Sequence, residues 1–232
     1  LCLWQHGAGA RWRLMRDNIR AQMRARTAGD VEQAWSEVTA LAEQEPNANV
    51  PGSYRDDENS WKDFGLTGPL KPSAVLVPLI ERAAGITVLL TRRTENLSSH
   101  SGQISFPGGR VEQSDAAPVH TALRESEEEI GLEPARVEIL GRLANYVVGT
   151  GYRITPVVGF VDAQQEFVRD EREVAEIFEV PLELVMEPDN YRREHMRIKN
   201  INRSYYVLPY GEYRIWGATA SILLNLRDTL SG

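Results

Sequence analysis

The chain has 232 residues, of which 42% are hydrophobic and 25% charged, and its net charge is −7. That length buries a sizeable core and fits one domain plus an extension. The acidic balance disfavours non-specific nucleic-acid binding, and no apolar run reaches the length of a membrane span. The one cysteine, Cys2, excludes an intrachain disulfide and a cysteine metal cluster, which suits a reducing, cytoplasmic setting.

The N-terminal stretch 1–28 carries Arg11, Arg13, Arg16, Arg20, Arg24 and Arg26 against one acid, Asp17. This pattern is similar to a mitochondrial transit peptide, which would send the protein to the matrix. The preferred reading is a basic amphipathic helix lying on an acidic protein. The chain opens without Met, and Met15 is a candidate true start. Residues 15–45 read as helical, broken at Thr27–Asp30. The second helix carries Val31, Ala34, Trp35, Val38, Leu41 and Ala42 at helical spacing. Residues 1–45 thus form an N-terminal helical extension. Residues 46–71 are a Pro- and Gly-rich linker, pinned to the body by Trp61 and Phe64.

Residues 72–228 carry the main domain. Ala74–Ile80 and Ile86–Thr91 are apolar, β-rich runs joined by a turn at Ala83-Ala84-Gly85, and they predict paired, buried strands. Leu97–His100 reads as a loop and Gln103–Phe106 as a short strand ending in a tight Gly108-Gly109 turn. Further strands are predicted at Val137–Leu143, Ile154–Val161 and Ala175–Val180, with a loop at Asn145–Tyr152 and a polar, exposed stretch at 162–172. A short helix at Pro181–Met186 follows. Arg197–Tyr206 is irregular to β, a turn lies at Tyr210–Tyr213, and Trp216–Leu226 is a closing helix. Strands alternating with helices give an α/β class with a mixed sheet between helical layers.

Phe106–Leu132 carries the chemistry. A helix is predicted over Pro118–Ile130, with Pro118 in the first turn, Ser114 or Asp115 as cap and Gly131 just past the end. Val119, Ala122, Leu123, Ser126 and Ile130 form its inward face. Glu125, Glu128 and Glu129 share another face at i, i+3, i+4, with Glu127 turned away. Three like charges there repel one another and oppose the helix dipole. A hard divalent cation with oxygen ligands removes that conflict; the alternative is a solvated acidic face.

The string Gly109, Asp115, Arg124-Glu125-Ser126-Glu127-Glu128-Glu129-Ile130-Gly131-Leu132 resembles the Nudix box. That box reads Gly, five residues, Glu, seven residues, then Arg-Glu-apolar-any-Glu-Glu-any-Gly-apolar. Asp115 replaces its first Glu, eight residues rather than seven precede Arg124, and Ser126 replaces an apolar residue. The extra residue is familiar in the coenzyme A pyrophosphatase branch. That branch carries a second signature, similar here to Leu89-Leu90-Thr91-Arg92-Arg93-Thr94, Gly102 and Phe106-Pro107-Gly108-Gly109. Thr94 stands for Ser in it and Ser98 for Arg. The resemblance implies a Nudix-type α/β/α sandwich with a mixed sheet, and it covers about residues 72–228.

It also implies hydrolysis of a diphosphate with Mg2+ or Mn2+ as cofactor. The expected substrate is coenzyme A or acyl-CoA, split into 3′,5′-ADP and (acyl-)4′-phosphopantetheine. The alternatives are another nucleoside diphosphate derivative such as ADP-ribose, or a non-catalytic ligand sensor. Expected metal ligands are Glu125, Glu128 and Glu129, with Glu128 as second-metal ligand or water polariser. Glu173 is the candidate for a further loop carboxylate acting as base or ligand, with Glu171 and Glu176 as rivals. Gly108 and Gly109 let the backbone approach phosphates. Arg124 and Asp115 orient the carboxylates. Arg93 binds phosphate or forms a salt bridge to the acidic helix, and Arg92 is placed to compensate for Ser98. His100 and His120 have no ligand spacing, and Phe106 and Trp216 read as core. A homodimer is compatible with the sequence; a nucleic-acid or membrane partner is not expected.

Overall fold

The computed structural model describes residues 8–26, 69–95, 102–198 and 201–231. The expected second helix from Asp30, the linker with Trp61 and Phe64, the loop with Ser98 and His100, and Cys2 lie outside the described residues. Helix α1 (Ala8–Arg26) leads to strands β1 (Lys71–Arg82), β2 (Gly85–Arg93), β3 (Ile104–Ser105) and β4 (Gly108–Arg110). Helix α2 (Pro118–Ile130) is followed by β5 (Val137–Arg142), β6 (Tyr146–Val147), β7 (Tyr152–Val161) and β8 (Val174–Pro181). After α3 (Leu182–Met186) come β9 (Arg192–Ile198), β10 (Ile201–Tyr210), β11 (Tyr213–Trp216) and α4 (Ala218–Leu230).

The main sheet runs β3-β2-β1-β7-β5, with β8 also on β2, β4 on β1 and β6 on β7. It is mixed, because β1 and β7 are parallel while β1 and β2 form an antiparallel hairpin. Alternate residues of the central strands point to opposite faces. Val77, Leu79, Val88, Leu90, Val158 and Phe160 meet α1, α3 and α4 on one side. Leu76, Leu89, Val157 and Val161 meet Ala122 and Ile130 of α2 on the other. The result is the expected sheet between helical layers, with β9–β11 as a separate small antiparallel sheet.

Helix α1 lies on this body by both charge and apolar packing. Arg20 reaches Glu138 at 2.6 Å and Arg16 reaches Glu81 at 3.5 Å. Ile19 and Met23, 4% and 0% exposed, enter the same core as α4. Each such burial contributes about 2 kcal/mol.

Several local expectations are corrected. The cap of α2 is Ala117, with no side-chain hydrogen bond, because the Asp115 carboxylate is engaged by Arg124, Thr121 and the Glu112 amide. Gly108 and Gly109 do not make a tight turn; they pair with Val75 and Ala74 in an extended strand. The expected loop at Asn145–Tyr152 contains β6. The segment read as irregular to β is strand in its described residues, β9 pairing antiparallel with β10. Trp216 ends β11, and the closing helix starts two residues later. Stretch 162–172 is not simply exposed. Gln165 is 7% exposed and donates to the Gly131 carbonyl, while Val168 N–H and Asp170 N–H bond the carbonyls of Ile130 and Glu129. Polar residues can be covered when such bonds are made.

Candidate active site

The site forms where β4 and the loop before β8 meet the second half of α2. Helix α2 ends as its sequence predicts, with Gly131 at φ 64. Ser126, at a position where an apolar residue is usual, is fully buried and its hydroxyl donates to the Ala122 carbonyl at 2.6 Å. That bond satisfies its only polar atom and leaves the inward face of α2 intact. Thr121 and Glu129 are buried as well, which the apolar periodicity does not reveal.

The two glycines have different reasons. A Cβ on Gly108, at φ 152, would stand 2.6 Å from the Val75 Cα and collide with the Ala74 carbonyl oxygen. A Cβ on Gly109 would fall on the Glu125 carboxylate. Gly108 therefore lets β4 lie against β1, and Gly109 makes room for an acidic side chain. The Gly108 amide also donates to Glu129 Oε2 at 3.2 Å.

Arg124 is the hub of the acidic face. Its Nη2 bonds Asp115 Oδ2 at 2.9 Å and the Arg110 carbonyl at 3.1 Å; its Nη1 bonds Glu125 Oε1 at 2.9 Å and Glu128 Oε2 at 3.3 Å. Arg124 and the bonds from the Glu112 amide and Thr121 hydroxyl hold Asp115 at a pKa of about 2. Asp115 and Arg124 thus set the position of Glu125.

Arg93 does not stand free for a phosphate. Its guanidinium spans Glu129 at 3.4 Å and Glu173 at 3.5 Å, the salt-bridge alternative of the sequence. Its buried Nε has no partner among the described residues. Glu173 arrives because its carbonyl accepts from the Thr94 amide at 2.9 Å and its amide bonds the Asp170 carbonyl at 3.0 Å. Its rivals lie elsewhere: Glu171 pairs with Arg169, and Glu176 is held by Arg92 and the Tyr213 hydroxyl. Arg92 is therefore also engaged.

Of the expected trio, Glu125 and Glu129 are covered, whereas Glu128 shares Arg124 Nη1 with Glu125 but has its side chain 60% exposed. Among the described residues no three of His, Cys, Asp and Glu stand together as a metal cluster. The donor set nevertheless fits a hard cation. Burial first, then the charges of Glu125 and Glu173, push Glu129 up to about 7 against the lowering effect of Arg93. Burial likewise raises Glu125, with Glu128 and Glu173 adding to it. Carboxylates that oppose one another's ionisation at one place are the oxygen ligands such an ion takes.

Beside the glycines opens a cleft of about 620 Å³, lined among others by Arg93, Phe106, Gly109, Arg110, Tyr152 and Trp216. Phe106 is core-like at 3% exposed, whereas Trp216 is only half-buried. Arg110 and Tyr152 carry no spacing signal, because strand register rather than sequence distance brings them together.

The chain is similar to known proteins. The NUDIX domain family model matches residues 70–199. A protein of Yersinia pestis (strain Pestoides F) named "Uncharacterized Nudix hydrolase NudL" is 40% identical over 159 residues, covering 68% of this chain and 79% of its own. A Yersinia pseudotuberculosis protein of the same name matches equally. The solved MutT/nudix family protein from Enterococcus faecalis aligns over 91% of this chain and 73% of its own, with TM-score 0.45 and 13% identity. By the family match and the relatives at 40% identity, the chain belongs to the Nudix hydrolase family.

Proposed function

We propose that the protein is a diphosphatase acting on coenzyme A or acyl-CoA, releasing 3′,5′-ADP and (acyl-)4′-phosphopantetheine. The observation that carries this reading is the meeting of two sequence signatures on one carboxylate. Arg93 of the upstream segment and the Gly108 amide both bond Glu129 of the box. Arg93 and Gly108 therefore stand at the same carboxylate of α2.

Nudix hydrolases generally use divalent cations, and here Glu125 and Glu129 would hold one, with Glu128 as further ligand. Bound there, it would supply charge neutralisation for the diphosphate and polarisation of a water. The chain's own residues do the rest. Arg124, braced by Asp115, keeps the Glu125 carboxylate in place. The Gly108 amide orients Glu129, and Gly109 keeps the approach to Glu125 free of a side chain. Glu173, half-exposed at the rim, accepts the proton of the attacking water. The water oxygen bonds to phosphorus, the bridging P–O bond breaks, and its electron pair leaves with the departing phosphate.

The test is a substrate panel of coenzyme A, acetyl-CoA, ADP-ribose and diadenosine polyphosphates with Mg2+ or Mn2+, read by product analysis. Coenzyme A should give 3′,5′-ADP and 4′-phosphopantetheine. ADP-ribose turning over far faster than coenzyme A would sink the substrate assignment and leave the reaction class.

A further inference from the structure

We propose that Lys71 and Arg110, gathered around Tyr152, form the subsite for the 3′-phosphate on the substrate's ribose. The inference rests on the coenzyme A reading and deepens it.

Three adjacent strands build the cluster. Lys71 begins β1 opposite Tyr152 of β7, and the Lys71 amide bonds the Gly151 carbonyl at 2.8 Å. Arg110 ends β4, whose pairing with β1 places it opposite Ser73. The Lys71 ammonium and the Arg110 guanidinium each lie 5.6 Å from the centre of the Tyr152 ring. An aromatic face holds cations at this range by its quadrupole, so it gathers two charges that otherwise repel.

What distinguishes the pair is that no carboxylate among the described residues pairs with it. The protein carries a net charge of −7, and Arg82, Arg92, Arg93 and Arg124 all stand on carboxylates. Among the described residues, Lys71 and Arg110 make no ion pair, and both are exposed. Two cations on one aromatic ring, with no carboxylate of the described residues on them, make a local anion site on an otherwise acidic protein.

Its position suits a phosphate near the scissile diphosphate but separate from it. Arg110 follows Gly109, the residue against the Glu125 carboxylate, and its carbonyl is bonded by Arg124. Arg110 and Tyr152 line the same cleft as Gly108 and Gly109. In coenzyme A the 3′-phosphate sits on the ribose whose 5′ oxygen bears the diphosphate. The acidic face needs a cation to hold the diphosphate, whereas a phosphomonoester one sugar away needs basic side chains directly. Arginine gives a two-pronged donor for it and lysine a mobile third.

The experiment is calorimetric titration of adenosine 3′,5′-bisphosphate, adenosine 2′,5′-bisphosphate and 5′-AMP into the wild type and a Lys71→Gln/Arg110→Gln variant. The wild type should bind the 3′,5′-bisphosphate at least about tenfold more tightly than the other two, as two charge-assisted contacts imply. The double variant should bind all three alike, and each single variant should lose part of the preference if the double one folds poorly. Equal binding of the three by the wild type, a 2′ preference, or an undiminished 3′ preference in the variant overturns the subsite. Coenzyme A turnover is followed in parallel with 3′-dephospho-CoA. KM should rise in the variant for coenzyme A alone. A wild type that hydrolyses neither compound refutes the coenzyme A reading, while the titration still decides the subsite.

Discussion

Asp115 clasps Arg124 at 2.9 Å on Nη2 and 3.2 Å on Nε, a two-pronged grip on the guanidinium that in turn holds Glu125. The Asp115 side chain is 5% exposed. The pair is therefore a covered bracket and not a surface ion pair, and its contribution is not screened away.

Replacing Asp115 with Asn should cost about 2 kcal/mol of stability, from a carboxyl held at about 2 against an ordinary 3.8. A depressed carboxyl stabilises the fold above its unfolded pKa, so this contribution vanishes as pH falls from about 3.8 through about 2. Denaturant titrations across that range should show the loss in the wild type and not in the variant. The kcat should also drop, by about tenfold, because a slackened Arg124 no longer positions Glu125.

A Glu125→Gln variant should keep its fold while kcat falls about 100-fold or more. Circular dichroism and steady-state kinetics on one preparation check both halves. Unchanged turnover would remove Glu125 from the mechanism.

Alanine at the two glycines should separate fold from activity. At Gly108 the new methyl meets backbone, and the φ of 152 is strained for any side chain. Gly108→Ala should lose about 2 kcal/mol or more of stability. At Gly109 the methyl meets the far end of the Glu125 side chain, which can swing aside. Gly109→Ala should fold nearly as well as the wild type and lose about 100-fold in kcat, the effect of an ångström-scale misplacement. Equal losses of stability in both variants would contradict this division.

Glu129 gives a pH signature of opposite sign to Asp115. Its folded pKa of about 7 exceeds the ordinary 4.5, so the folded state keeps a proton that the unfolded chain releases. Without a divalent cation, stability should be full below about 4.5 and decline by up to about 3 kcal/mol as pH rises through about 7. Mg2+ or Mn2+ binds the ionised carboxylates, so adding either should raise Tm and reverse that slope. A melting temperature indifferent to both ions across this range would count against a cation site here.

Much of this is legible in the sequence because it is local. The span of α2, the stop at Gly131 and the shared face of Glu125 and Glu129 follow from helical spacing. The hairpin of β1 and β2 follows from two apolar runs around one turn. Tertiary partners are what spacing cannot give. Glu128 has the same helical credentials as Glu125, but only the loop before β8 and strand β4 decide which carboxylate is covered. Arg93 carries no mark that chooses carboxylate over phosphate until Glu173 stands beside it. The burial of Gln165 is similarly invisible, since it depends on a carbonyl at Gly131.

The last turn of α2 offers its unsatisfied carbonyls to a passing chain: Glu129 takes the Asp170 amide at 2.9 Å and Ile130 takes the Val168 amide at 3.0 Å. The loop segment that closes the helix is thus the one that carries Glu173 to the rim. The two residues between Asp170 and Glu173 act as a measured spacer between a helix end and a reactive acid. Their length sets the reach of that acid, so the loop can vary in composition far more freely than in residue count.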